Sequence, residues 1–183
     1  MSSDTAEPSI TRTLRIKEES DNILQREADR AGTSVNALMS SLIDRYVGTL
    51  RFFKSGEMIS ISGISLAALL NYISEDEIAG EAYSQSTTLV REGLMQLGMN
   101  LNYENVLWYI RQVLGQYYGW YRCDYSADDA LDTLHLSHGH GYKWSVFVAN
   151  YITSILNEII DFQTNMVISA QSVNIQILKK SVG

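Results

Sequence analysis

The chain is poor in residues that staple, break or span. Its 183 residues include one cysteine, Cys123, and one proline, Pro8. A lone thiol excludes an internal disulfide and fits a reducing compartment, so a cytoplasmic location is expected. No apolar run approaches the roughly 20 residues that a membrane-spanning helix needs, and no membrane partner is expected. Residues 1–9 are polar and carry Asp4 and Glu7. That is not the basic stretch and apolar core of a secretory signal. Signatures of catalysis are missing as well. There is no nucleophile elbow, phosphate loop, dinucleotide fingerprint or pair of carboxylates in a catalytic motif, so an enzyme is not expected.

What is present is unevenly distributed. The net charge of −7 looks unsuited to a polyanionic partner, but its parts differ in sign. Residues 10–55 hold eight Lys/Arg against six Asp/Glu, whereas residues 56–183 hold six against thirteen. A small basic head on an acidic body can meet phosphate with one face while the body points away. Composition shifts divide the chain into a tail (1–9), a head (10–50), a connector (51–57) and a body (58–183).

In the head, Thr11-Arg-Thr-Leu-Arg-Ile16 alternates, with Leu14 and Ile16 on one face and Thr11, Thr13 and Arg15 on the other. A period of two predicts a short, half-buried strand. A helix is expected from about Glu18, where Glu18, Glu19 and Asp21 suit the positive end of the helix dipole. Leu24, Ala28 and Ala31 form its apolar stripe, and Gly32 is placed as a left-handed stop. Ser34 or Thr33 then caps a second helix. Its apolar residues are Val35, Leu38, Met39, Leu42, Ile43 and Tyr46. One strand and two short helices cannot bury enough surface alone, so a second copy is required.

The order of strand, helix, Gly32-Thr-Ser-Val-Asn36 and helix resembles the ribbon-helix-helix family, which includes the Arc and MetJ repressors. The resemblance covers Thr11 to about Val47. It implies an intertwined dimer whose paired strands enter the major groove of double-stranded DNA. By position, it assigns base-edge contact to Thr11, Thr13 and Arg15. It assigns phosphate anchoring to the N–H groups of Ser34, Val35 and Asn36, consistent with the anion affinity of a helix start. Arg12 stands where the inward face of the ribbon is usually apolar, and is expected to snorkel to a backbone phosphate. Two threonines make few directed base contacts, so discrimination leans on Arg15, thymine methyl groups or DNA shape.

The body alternates helical and strand-like patterns. Strands are expected at Met58–Ser62, within 120–125, at Leu131–His138, and around Met166–Ser169 and Val173–Leu178. Helices are expected over Leu66–Ile73, over Glu75–Leu97 after Ser74, after Asn102, and over Lys143–Ile160 with Trp144, Phe147, Tyr151, Ile155 and Ile159 on one face. This makes an α+β domain with a largely antiparallel sheet. Its expected role is oligomerisation, to a homodimer or homotetramer, or sensing of a small-molecule effector.

Three features of the body bear on function. His135, His138 and His140 are the only histidines and, with Cys123, would suit zinc, nickel or copper. Nickel-responsive ribbon-helix-helix repressors are known to use three histidines and a cysteine. Their ligands are spread and end in the cysteine, whereas here they cluster and follow it. Strand alternation also puts His135 and His138 on opposite faces unless Gly139–Gly141 turns the chain. A divalent transition metal is the one cofactor these residues suggest; the alternative is a Gly-rich connection whose histidines bond locally. That connection could also hold an anion at the following helix start. Secondly, eight aromatics fall between Tyr103 and Tyr125, as core, interface or pocket lining. Thirdly, the acids at Glu75–Glu77 and at Asp128 and Asp129 fit a helix start and a solvated turn. The expected function is therefore a dimeric or higher-order transcriptional regulator. A metal-responsive repressor, an antitoxin and an architectural DNA-binding protein are the alternatives.

Overall fold

The computed structural model describes residues 10–48, 50–52, 60–128 and 130–179. The tail 1–9, most of the connector, Met58, Ile59 and Asp129 lie outside the described residues. The architecture is mixed α+β and divides into two compact units, Met1–Tyr46 and Val47–Gly183.

The first unit holds α1 (Glu18–Ala31) and most of α2 (Val35–Gly48). The end of α1 is set by Gly32, whose φ of 64° only glycine adopts without strain. Gly32 N–H donates to Asp29 O at 3.2 Å and Thr33 N–H to Ala28 O at 2.9 Å, closing the helix in a Schellman turn. Two residues later Ser34 Oγ accepts from Ala37 N–H at 3.1 Å and opens α2. Residues 10–17 pair with no strand in this single copy.

The second unit begins with a short 3₁₀ turn, Leu50–Phe52. Helix α3 spans Gly63–Leu70 and is capped by Ser62, which accepts from Ser65 N–H at 3.2 Å. Of the strand expected at Met58–Ser62, only Ser60–Ser62 are among the described residues; they pair with no strand among those residues and lead into α3, because the cap needs only one extended residue. Helix α4, Glu75–Gln96, starts in a full capping box in which Ser74 and Glu77 satisfy each other's N–H groups. Ile78, Ala82, Ser86, Val90 and Leu94 recur every four residues along its buried stripe. Helix α5, Tyr103–Trp108, is capped by Asn102 and continues as a π-helical stretch, Tyr109–Tyr117. There Tyr118 N–H reaches back five residues to Val113 O at 2.8 Å, and Tyr121 Oη donates to Ile110 O at 2.9 Å.

Strands β1 (Arg122–Ala127), β2 (Leu131–Ser137), β3 (Thr164–Ile168) and β4 (Ser172–Leu178) form one antiparallel sheet in the order β1-β2-β4-β3. Its inner face carries Leu134, Leu136, Val173, Ile175 and Ile177, all fully buried. Between β2 and β3 runs α6, Tyr142–Ser154, extended by π-helical Ile155–Ile159. It touches α4 as well as β3 and β4. Being packed between a helix and the sheet, it is buried nearly all round, not along the single stripe its aromatics suggested. Its polar residues are satisfied within the helix: Thr153 Oγ1 donates to Ala149 O at 2.8 Å, and Ser154 Oγ to Asn150 O at 2.6 Å.

Candidate nucleic-acid interface and the histidine segment

In the first unit the only buried residue among those described is Ala28. Ile10, Leu14, Ile16, Ile23, Leu42, Ile43 and Tyr46 are all exposed, and Leu24, Val35, Leu38 and Met39 are half-buried. Seven large exposed apolar side chains within 37 residues exceed the scattered few of an ordinary surface. Ile10, Leu14 and Ile16 alternate along the extended segment, and Leu42, Ile43 and Tyr46 lie on the apolar face of α2. Thr11, Arg12, Thr13 and Arg15 are exposed, and no ladder fixes their direction in one copy. Ser34 and Asn36 are exposed at the start of α2, where Ser34 uses its hydroxyl on Ala37. The N–H groups of Val35 and Asn36 precede the first intrahelical bond, from Leu38 N–H to Ser34 O, and so stay available to an anion.

The proposed metal ligands do not converge. Cys123 pairs across the sheet with Leu136, and His135 with Asp124. Cross-strand partners share a face, so Cys123 lies with the core and His135 on the exposed opposite face. Burial pushes the Cys123 thiol up to about 11, against the lowering effect of Arg111, so a thiolate ligand is disfavoured. No group of three or more His, Cys, Asp or Glu side chains able to hold a metal is present among the described residues.

His138 and His140 do meet, with parallel rings 5.8 Å apart. His138 N–H continues the ladder to Gln171 O at 2.9 Å. Its Nδ1 accepts from His140 N–H at 3.2 Å, which leaves the proton on Nε2 to be donated to Ser145 Oγ at 3.0 Å. A serine that accepts from imidazole is not activated as a nucleophile, and Ser145 is fully buried. Burial, with His140 beside it, pushes His138 down to about 4. The His140 ring sits against Gly63 so closely that a Cβ there would lie 2.2 Å from Nδ1. The Gly-rich segment thus packs locally around the start of α6. Lys143 does not await an anion at that helix start: its Nζ donates to Asn71 O at 3.1 Å and to Ile73 O.

The aromatic crowd fills the core. Trp120 packs edge-on against Trp144, Phe147 and Tyr151 at 5.5, 5.7 and 5.1 Å, and Trp144 Nε1 donates to Trp120 O at 3.0 Å. A second polar centre was not foreseen from the sequence. Asp132, buried in β2, accepts from Tyr103 Oη and from Tyr125 Oη at 2.8 Å, with Lys179 Nζ 2.9 Å from its other oxygen. Burial raises its carboxyl, but the bonds from Tyr103, Lys179 and Tyr125 outweigh that and hold it below the ordinary value. The signal was its inward register beside Leu134 and Leu136.

No helix among the described residues is long and apolar enough to cross a membrane. The chain matches no protein-family model, no curated protein and no solved structure.

Proposed function

We propose that the protein is a sequence-specific DNA-binding transcriptional regulator that works as a ribbon-helix-helix dimer or as a tetramer built from such dimers. The observation that carries this reading is the first unit's apolar surface. A segment that, among its described residues, buries Ala28 alone while exposing Leu14, Ile16, Leu42, Ile43 and Tyr46 is half of a core. A second copy completes it: the segments around 11–16 pair as an antiparallel ribbon, and four helices close beneath.

Pairing with Leu14 and Ile16 inward turns Thr11, Thr13 and Arg15 outward together. A two-stranded ribbon fits the major groove, where Arg15 can take guanine and the threonine methyls can meet thymine. The first N–H groups of α2, behind the Ser34 cap, take a flanking phosphate and fix the register. The acidic second unit, with six Lys/Arg against thirteen Asp/Glu over residues 56–183, is repelled by the duplex and leaves phosphate contact to the first unit.

The test is selection of bound sequences from a random DNA pool, followed by titration of the selected site at several salt concentrations. Arg15→Ala is expected to weaken binding and relax the preference at one base pair per half-site. It should also lower the salt slope by about two per dimer, one for each subunit. Selection that yields no preferred sequence, or an Arg15→Ala protein with unchanged affinity and salt slope, overturns the reading.

A further inference from the structure

In the second unit a concavity of about 500 Å³ opens between the π-helical stretch Tyr109–Tyr117 and the edge strand β1. This lies within the range of ordinary small-molecule sites, about 300–1,000 Å³. Its walls include Arg111, Gln112, Gln116 and Arg122, and its floor Tyr121 and Cys123. We infer that it binds a small organic anion, with a carboxylate or phosphate ester on Arg111 and the apolar remainder over Cys123 and Tyr121.

Charge makes the position unusual. Residues 56–183 contain six cationic side chains, and two of them line this one concavity. Lys143 is taken up by the carbonyls of Asn71 and Ile73, and Lys179 by Asp132. Arg122 meets Asp124 at 3.3 Å on the exposed rim. Arg111 differs from these. It is half-buried, and its guanidinium lies over the Tyr125 ring, 4.7 Å from the ring centre, where a cation–π contact holds it. Among the described residues it makes no hydrogen bond or ion pair, so its fork of donors is held in place and unused. The amides of Gln112 and Gln116 make no side-chain hydrogen bond among the described residues either, and flank it with further donors. The surrounding acidic surface disfavours a polyanion and leaves room for a small one.

The chemistry of the floor selects against a bare inorganic ion. Cys123 is held as a neutral thiol and Tyr121 is almost fully buried, so both offer apolar contact. Gly119, with φ +69°, leaves open space at the mouth, with no atom within 4 Å of where its Cβ would stand. That an occupant would modulate DNA binding rests on the reading proposed above; the site itself does not.

The test is calorimetric titration of the full chain with benzoate and with phenyl phosphate, using benzyl alcohol as the neutral control. Saturable binding of at least one anion, weakened roughly tenfold or more in Arg111→Gln, is expected. Arg91→Gln, which removes an exposed cation outside the concavity, should leave it unchanged. Gln116→Glu places a carboxylate on the exposed wall and should also weaken binding; it remains informative where Arg111→Gln lowers stability. The inference is overturned if neither anion saturates below roughly 10 mM, if benzyl alcohol binds as tightly as benzoate, or if Gln116→Glu binds like the wild type. Because the titration contains no DNA, its failure leaves the DNA-binding reading standing, and failure of that reading leaves the site standing.

Discussion

Truncating Ile43 to alanine tests the dimer on which the proposed function depends. Ile43 stands on the apolar face of α2 and is 58% exposed in one copy. Full burial of such a side chain contributes about 1.5–3 kcal/mol. Closing over the exposed part in a dimer therefore recovers about 1 to 1.5 kcal/mol per copy, and both copies contribute. Ile43→Ala should cost the dimer about 2–3 kcal/mol, which at 1.4 kcal/mol per tenfold is a dissociation constant raised roughly 30- to 150-fold. Sedimentation equilibrium of the full chain over a wide concentration range measures this directly. DNA affinity should fall in parallel, because two half-ribbons are needed to fill the groove. A variant that dissociates within twofold of the wild type would refute the reasoning. It would mean that the exposed face of α2 is not what joins the copies, whatever the second unit contributes.

Two further outcomes are expected from the second unit. Asp132→Ala removes the buried acceptor shared by Tyr103 and Tyr125 and the partner of Lys179, leaving two half-buried hydroxyls without that acceptor. A loss of about 2–4 kcal/mol follows, seen as a melting temperature lower by roughly 4–16 °C; a change below about 0.5 kcal/mol would show that the network contributes little. His138 is held neutral down to about 4, whereas an unfolded imidazole takes a proton near 6.5. The folded-state value is the depressed one, so the stability is fully present above about 6.5 and is lost as pH falls from there through about 4. NMR titration should find the His138 ring unprotonated at pH 5.5, and a titration midpoint near 6.5 would contradict its burial against Ser145.

Much of the local structure was legible because it depends on near neighbours. Gly32 and Ser34 mark the α1–α2 turn through backbone strain and a hydroxyl cap, both acting within four residues. Ser74 with Glu77, and Asn102, announce α4 and α5 in the same way. The alternation of Leu134 with Leu136, and of Val173, Ile175 and Ile177, gave the inner face of the sheet, since side chains in a strand reverse with every residue. Element ends were less secure. Strand β1 starts at Arg122 rather than Trp120, because Trp120 is drawn into the aromatic core with Trp144, Phe147 and Tyr151.

The sequence by itself determined that the head has an apolar face too large for its own core, since pattern and chain length together set what 37 residues can bury. It did not determine the fate of the histidines and the cysteine. That was decided by register. The pairing of Cys123 with Leu136 and of Asp124 with His135 sends the thiol into the core and the imidazole to the opposite face, whereas a one-residue slip of β1 against β2 would have turned the thiol outward beside His135. Tertiary packing likewise seated His140 on Gly63, buried α6 on all sides, gathered Tyr103, Tyr125 and Lys179 around Asp132, and left Arg111 facing an open concavity. Each of these joins residues far apart in the chain, where periodicity carries no information about distance.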